Sequence, residues 1–363
     1  MKTKKETNCR LGKTGGQAVL EGVMMRSEST VAIAVRRLDN KKIVARVKPT
    51  KTIKDKVKFF RIPIIRGIVN FIEMLILSFS TMTASTEMLG LEEEEPSKFE
   101  KWLERKFGSS LMSVISVLSV VLGVALAMLL FFYLPIGSTN LIQSITGWER
   151  GWWKVLVEGL MKFVIFLCYL LLVSLIPDIK RVFQYHGAEH KAIFCYERNE
   201  ELTVENVRKQ SRFHPRCGTS FMFLMLIISI VISSVLPLDS FEQPFVRFCL
   251  KLPLIFPIVG IGYEILRFSG KHDNLFIRIL VAPGLWFQRI TTKEPDDGMI
   301  EVAVVALKAS LPNEFPDFVA PLEGREEPEE AKNQASGAQE AADTTTEAKE
   351  NDVKEESTVY ENS

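Results

Sequence analysis

The sequence predicts a mainly α-helical, polytopic membrane protein with a small N-terminal β-element and a disordered acidic C-terminal tail. Three observations carry that prediction. Hydrophobic residues make up 47% of the 363 residues, and long apolar runs crowd into residues 111–290 while both ends are charged. Four runs, at 111–134, 155–176, 221–236 and 250–266, have the length to cross a hydrocarbon core of ~30 Å. The charge is polarised too, with 16 Lys/Arg in residues 1–58 and 13 Asp/Glu against 4 Lys/Arg in residues 321–363.

Each segment follows from local physics. Residues 1–58 read as a basic cytosolic segment. A flexible leader at 1–14 is followed by a glycine-punctuated stretch from Gly15 to Arg26, in which Gly15, Gly16 and Gly22 suit a tight turn better than an anion cradle. β-Branched runs at 31–36 and 43–47 flank Asp39-Asn40, which predicts a hairpin. Residues 59–110 read as an interfacial helix and linker. The apolar stretch 59–89 contains Arg61, Arg66, Glu73 and Glu87, and burying one such charge at the bilayer centre costs roughly 2.5–3.5 kcal/mol. Acidic residues at 92–95 followed by Pro96 form the linker.

Residues 111–290 form the predicted membrane domain, with about four spans. The last of these carries Pro253, Pro257, Gly260 and Gly262, and a stretch at 275–290 holding Arg278, Pro283 and Gly284 reads as re-entrant or surface-lying. In residues 291–320, Asp296 offers an N-cap to an amphipathic helix over 299–311. Residues 321–363, acidic and nearly without aromatics, predict disorder.

Loop charge sets the expected orientation. Residues 178–219 carry eight Lys/Arg, against two each in 135–154 and 237–251. The positive-inside rule then puts this loop and both termini in the cytosol, which suits four spans and keeps 59–89 on the surface. The basic arm favours anionic lipid headgroups, and no nucleic acid is expected as partner. The five cysteines show no paired spacing, which excludes a secreted disulfide scaffold. The first 58 residues lack the hydrophobic run of a cleavable signal.

The chemistry concentrates at His186-Gly187-Ala188-Glu189-His190. Residues four apart on a helix share a face, so both imidazoles can reach one ion. The order H-x-x-E-H matches the inverted zinc hydrolases, in which the glutamate is the general base on the attacking water. His186, His190 and Glu264 form the preferred ligand set for a divalent metal of the zinc type, with Glu189 catalytic, and His214 and Cys217 rival Glu264 for third place. Lys191 or Arg216 could steady an oxyanion or phosphate. Cys195 and Cys217 share the 178–219 loop. Cys217 opens the third span, where the helix N-terminus and Arg216 favour its thiolate, so it is an alternative nucleophile with His214 or His190 as base. The bland alternative is that Thr219 or Ser220 caps this helix and Cys217 packs.

With its motifs at 15–26, His186 to Lys191, His214 to Ser220 and Glu294 to Ala303, the chain resembles the YqhQ family of bacterial membrane proteins from about residue 12 to 311. The resemblance implies a multi-pass protein of the cell membrane described at most as a metal-dependent enzyme. The function expected is a metal-dependent hydrolase at the cytosolic membrane face. A non-enzymatic transporter, with helices broken at Pro253, Pro257 and Gly260, and a membrane scaffold with a structural metal are the alternatives.

Overall fold

The computed structural model describes residues 10–50, 57–90, 111–147, 152–236, 244–269 and 275–322. The expected leader (in part), acidic linker and C-terminal tail lie outside these residues. The chain is mainly helical, with an antiparallel sheet at its N-terminus. Strands β1 (Gly15–Val19), β2 (Gly22–Arg26), β3 (Thr30–Arg36) and β4 (Ile43–Pro49) follow one another in space as in sequence. The expected hairpin is β3–β4, with Ala34 opposite Ala45. The glycine-punctuated stretch is a second hairpin, β1–β2, turning at Leu20-Glu21 with Glu21 at φ 49°. Neither turn residue is a glycine or asparagine, so the turn signal was weak.

The sheet is covered on both faces. Alternation along β2 and β3 sends Val19, Met24, Ile33 and Val35 toward α1 (Ile65–Met88), where they pack with Ala84, Met88 and Leu89. The opposite face sends Ala18, Val23, Met25 and Ala34 against α5 (Pro177–Glu197) and α11 (Asp297–Ser310). Strands buried on both faces read as continuous apolar runs, and Val31 to Val35 is such a run. Asp296 caps α11, its side chain accepting from Met299 N at 2.8 Å.

The apolar helices are α2 (Leu111–Met128), α3 (Leu134–Thr146), α4 (Trp152–Val173), α7 (Gly218–Val235), α8 (Pro244–Lys251), α9 (Ile255–Ser269) and α10 (Leu275–Thr291). A short helix α6 (Val204–Arg208) follows α5. The first span does not stop at residue 134. A π-helical segment, Leu129–Tyr133, joins α2 to α3, and the wider turn accommodates Pro135 without ending the helix. Gly147, at φ 68°, ends it instead.

Among the described residues five helical stretches are long and apolar enough to cross a membrane, and they include α1, which the sequence reading left at the surface. The C-terminal part of α1 is occupied by the sheet, while its N-terminal part packs against α9. Helix α4 carries Lys154, Glu158 and Lys162. Glu158 and Lys162 pair at 2.8 Å, and Lys251 of α8 joins Glu158 at 3.4 Å, so this buried carboxylate is met by two ammonium groups.

Candidate metal centre

Helix α5 presents His186 and His190 one turn apart, their ring centroids 4.4 Å from each other. Pro177 begins this helix at its first turn, where a missing N–H costs nothing. The expectation that both rings share a face holds. The third group in reach is Cys217, the N-cap of α7. A metal-binding atom of each residue lies within 4.8 Å of the others, and His186 Nε2 stands 3.2 Å from Cys217 Sγ.

The tautomers follow from the neighbours. His186 Nδ1 lies 2.9 Å from the Thr291 carbonyl and His190 Nδ1 lies 2.5 Å from the Arg212 carbonyl. A carbonyl only accepts, so each Nδ1 carries the hydrogen and each Nε2 keeps its lone pair. Tying the distal ring nitrogen to an acceptor is how proteins orient metal-binding histidines. Burial and the neighbouring His186 hold the His190 imidazole below its ordinary pKa, which keeps it neutral. Tetrahedral zinc sites place ligand atoms roughly 3.5 Å apart, so donors now within 4.8 Å of one another would close by up to about 1.3 Å. Two neutral imidazoles and a thiol, which a bound cation deprotonates, fit such an ion.

Glu189 lies beside this cluster, 5% exposed, with Oε2 buried and without a hydrogen-bond partner. Burial pushes its carboxyl up to about 8. Strand β1 passes directly over it. A Cβ at Gly16 would stand 2.9 Å from Glu189 Cγ and 2.8 Å from Met24 O, so the second glycine of the N-terminal pair permits the strand to approach the helix. Gly187 plays a parallel part on α5. A Cβ there would collide with the Lys293 carbonyl, and the passage of this chain past the helix brings Thr291 O to His186.

The remaining expected residues lie as follows. Glu264 is not in the cluster: Arg66 binds both its carboxylate oxygens, through Nε at 2.6 Å and through its terminal nitrogen. Among the described residues the group that lies with the two histidines is Cys217, while Glu264 is engaged by a guanidinium on α1. Lys191 is buried and directed to Arg208 O at 2.8 Å and to the Glu294 carboxylate, which removes it from oxyanion contact. Arg216 is held by the Glu197 carboxylate. His214 stands aside from the cluster. Its backbone N–H donates to Gln288 Oε1 and its carbonyl accepts from Gln288 Nε2, both at 2.7 Å, while its Nε2 lies 3.5 Å from Glu197. Cys195 is buried elsewhere on α5, its thiol directed to Glu201 O at 3.3 Å and raised to about 11 by burial.

The clamp by Gln288, the carbonyls of Thr291 and Arg212, and the pairing of Glu197 escaped sequence reading. Each joins residues distant in the chain and has no spacing signature. The glycine pair at 15–16, expected to form a tight turn, lies instead in strand β1, where Gly16 permits the close approach to α5.

The cluster borders a cavity of about 530 Å³, lined by Glu189, His190, His214 and Cys217 and by residues of α1, α7 and α9. These features define a polytopic membrane protein with a His/His/Cys cluster where a sheet-helix layer meets its apolar helices. The chain belongs to the family described as "Protein of unknown function (DUF1385)", which matches residues 62–313. It is similar to the "Uncharacterized protein YqhQ" of Bacillus subtilis (strain 168), 36% identical over 302 residues that cover 82% of this chain and 92% of that protein. No solved structure matches the chain.

Proposed function

We infer that the protein is a metal-dependent hydrolase at the cytosolic face of the cell membrane, with a divalent ion of the zinc type held by His186, His190 and Cys217. The supporting observation is the convergence of these three donors within 4.8 Å, each histidine locked through Nδ1 to a backbone carbonyl. The ion, when bound, supplies a Lewis acid to the bond being cleaved. Glu189, ionised where the charge of the neighbouring ion offsets its burial, accepts the proton of the attacking water. The water oxygen bonds to the electrophilic carbon or phosphorus, and the bond to the leaving group breaks. Glu189 then passes its proton to that group and returns to its starting state.

The orientation rests on packing and charge together. α1 ends against the sheet, and the sheet packs on α5 and α11, so all of these share one side of the membrane. Four crossings then remain, by α2–α3, α4, α7 and α8–α9. The eight Lys/Arg of residues 178–219 put the shared side in the cytosol.

A second reading uses Cys217 as nucleophile, with His186 as its base, supported by their 3.2 Å separation at a helix N-terminus. Metal analysis of the full chain purified in detergent separates the two. The metal reading expects about one ion per chain, lost from His186→Ala/His190→Ala and retained in Glu189→Gln. Absence of any ion, with Cys217 readily alkylated, would overturn it in favour of the thiol.

A further inference from the structure

The cavity beside the cluster has a mixed lining. Glu189, His190, Cys217 and Arg26 line it together with Phe71, Met74 and Leu75 of α1 and Phe221, Met222 and Met225 of α7. Its volume, about 530 Å³, falls within the range of small-molecule sites. Its apolar walls belong to helices long and apolar enough to span a membrane. Leu75 and Met222 both line the cavity and are 44% and 41% exposed, and α1 also exposes Ile72, Ile76 and Phe79. Thioether side chains there adapt to flexible apolar ligands.

Arg26 is poised for an anion. Its guanidinium donates to the Met74 thioether at 3.3 Å, a weak acceptor, and stands 4.0 Å from the Glu73 carboxylate. A phosphate oxygen is a far better acceptor for this fork. Glu189 also lines the cavity and has a buried carboxyl oxygen without a hydrogen-bond partner.

We propose that this cavity takes an anionic glycerophospholipid from the surrounding bilayer, its headgroup phosphate at Arg26 beside the His/His/Cys cluster and an acyl chain between α1 and α7. This deepens the hydrolase reading by naming its substrate class, while the binding itself does not depend on catalysis. The bilayer delivers such a molecule laterally, so no aqueous entrance is required. Preference follows from charge: phosphatidylglycerol binds ahead of phosphatidylcholine, and diacylglycerol, without phosphate, binds last.

Titration calorimetry of the full chain in maltoside micelles with dioctanoyl phosphatidylglycerol tests this directly. Saturable 1:1 binding is expected, weakened at least tenfold in Arg26→Gln and in Met225→Trp, which fills the cavity without touching the cluster. Metal content measured on the same samples keeps the two readings apart. Unchanged metal with no saturable binding in the wild-type protein overturns the lipid assignment alone. Binding without metal retains the lipid site and removes the hydrolase. Equal binding by wild type and both variants means lipid on the outer surface only, and also overturns the proposal.

Discussion

Helix α5 carries two buried glutamates, Glu189 in its second half and Glu197 at its C-terminal end, in opposite surroundings. Glu197 meets the Arg216 guanidinium, accepts the Gly12 backbone N–H at 3.0 Å and lies 3.5 Å from His214. Burial pushes its carboxyl up, but His214, Gly12 and Arg216 together overcome this and hold it below the ordinary value of 4.5. Glu189 faces two imidazoles and a thiol, has no cationic side chain bonded to it, and leaves Oε2 without a partner. One carboxylate fastens the segment 214–216 to α5. The other is maintained at a cost to folding, as expected of a group kept for chemistry.

Breaking the His/His/Cys cluster should have the largest effect. His190→Ala should lower metal affinity more than 100-fold, since even changes to groups supporting metal ligands cost about 10–100-fold. Competition with a chromogenic chelator measures this, and near-unchanged affinity would remove His190 from the ligand set. At the structural end, Glu197→Ala should destabilise the protein by about 2–3 kcal/mol, because it strands a partly exposed arginine and a buried histidine. Chemical denaturation in detergent reads this out.

Glu189→Gln should act with the opposite sign. It replaces a carboxyl that burial disfavours when charged, so the metal-free protein should melt at an equal or higher temperature than wild type at pH 7.5. A clear drop in melting temperature would mean that Glu189 is a structural carboxylate like Glu197. The smallest effect concerns pH. Because the folded-state pKa of Glu197 is depressed, its stabilisation is complete above the unfolded value and is lost as pH falls through the folded one. The melting gap between wild type and Glu197→Gln should therefore be full at pH 6–7 and close below about pH 4. A gap that widens on acidification would reverse the assignment.

Much of this architecture is written in local pattern. The apolar runs announce α4, α7 and α9 because a helix in hydrocarbon must be apolar along its whole length. The spacing of His186 and His190 places both rings on one face, since the helical repeat carries that information within five residues. Asp296 caps α11 for the same local reason. Alternation in residues 31–36 and 43–47 marks β3 and β4, whereas the β1 turn at Leu20-Glu21 lacked the residues that announce one.

Which carboxylate or thiol joins the histidines was another matter. By sequence Glu264 is the preferred third ligand, with His214 and Cys217 as rivals. The choice turned on Arg66, a charge on a separate helix that binds Glu264 and leaves Cys217 at the N-terminus of α7 facing His186. The carbonyls that set the two imidazole tautomers come from Arg212 and Thr291, and their arrival depends on chain packing past Gly187. Periodicity within a segment records which face is buried. Partners assembled from distant segments arise from packing and electrostatic competition, and no short stretch of residues encodes the winner.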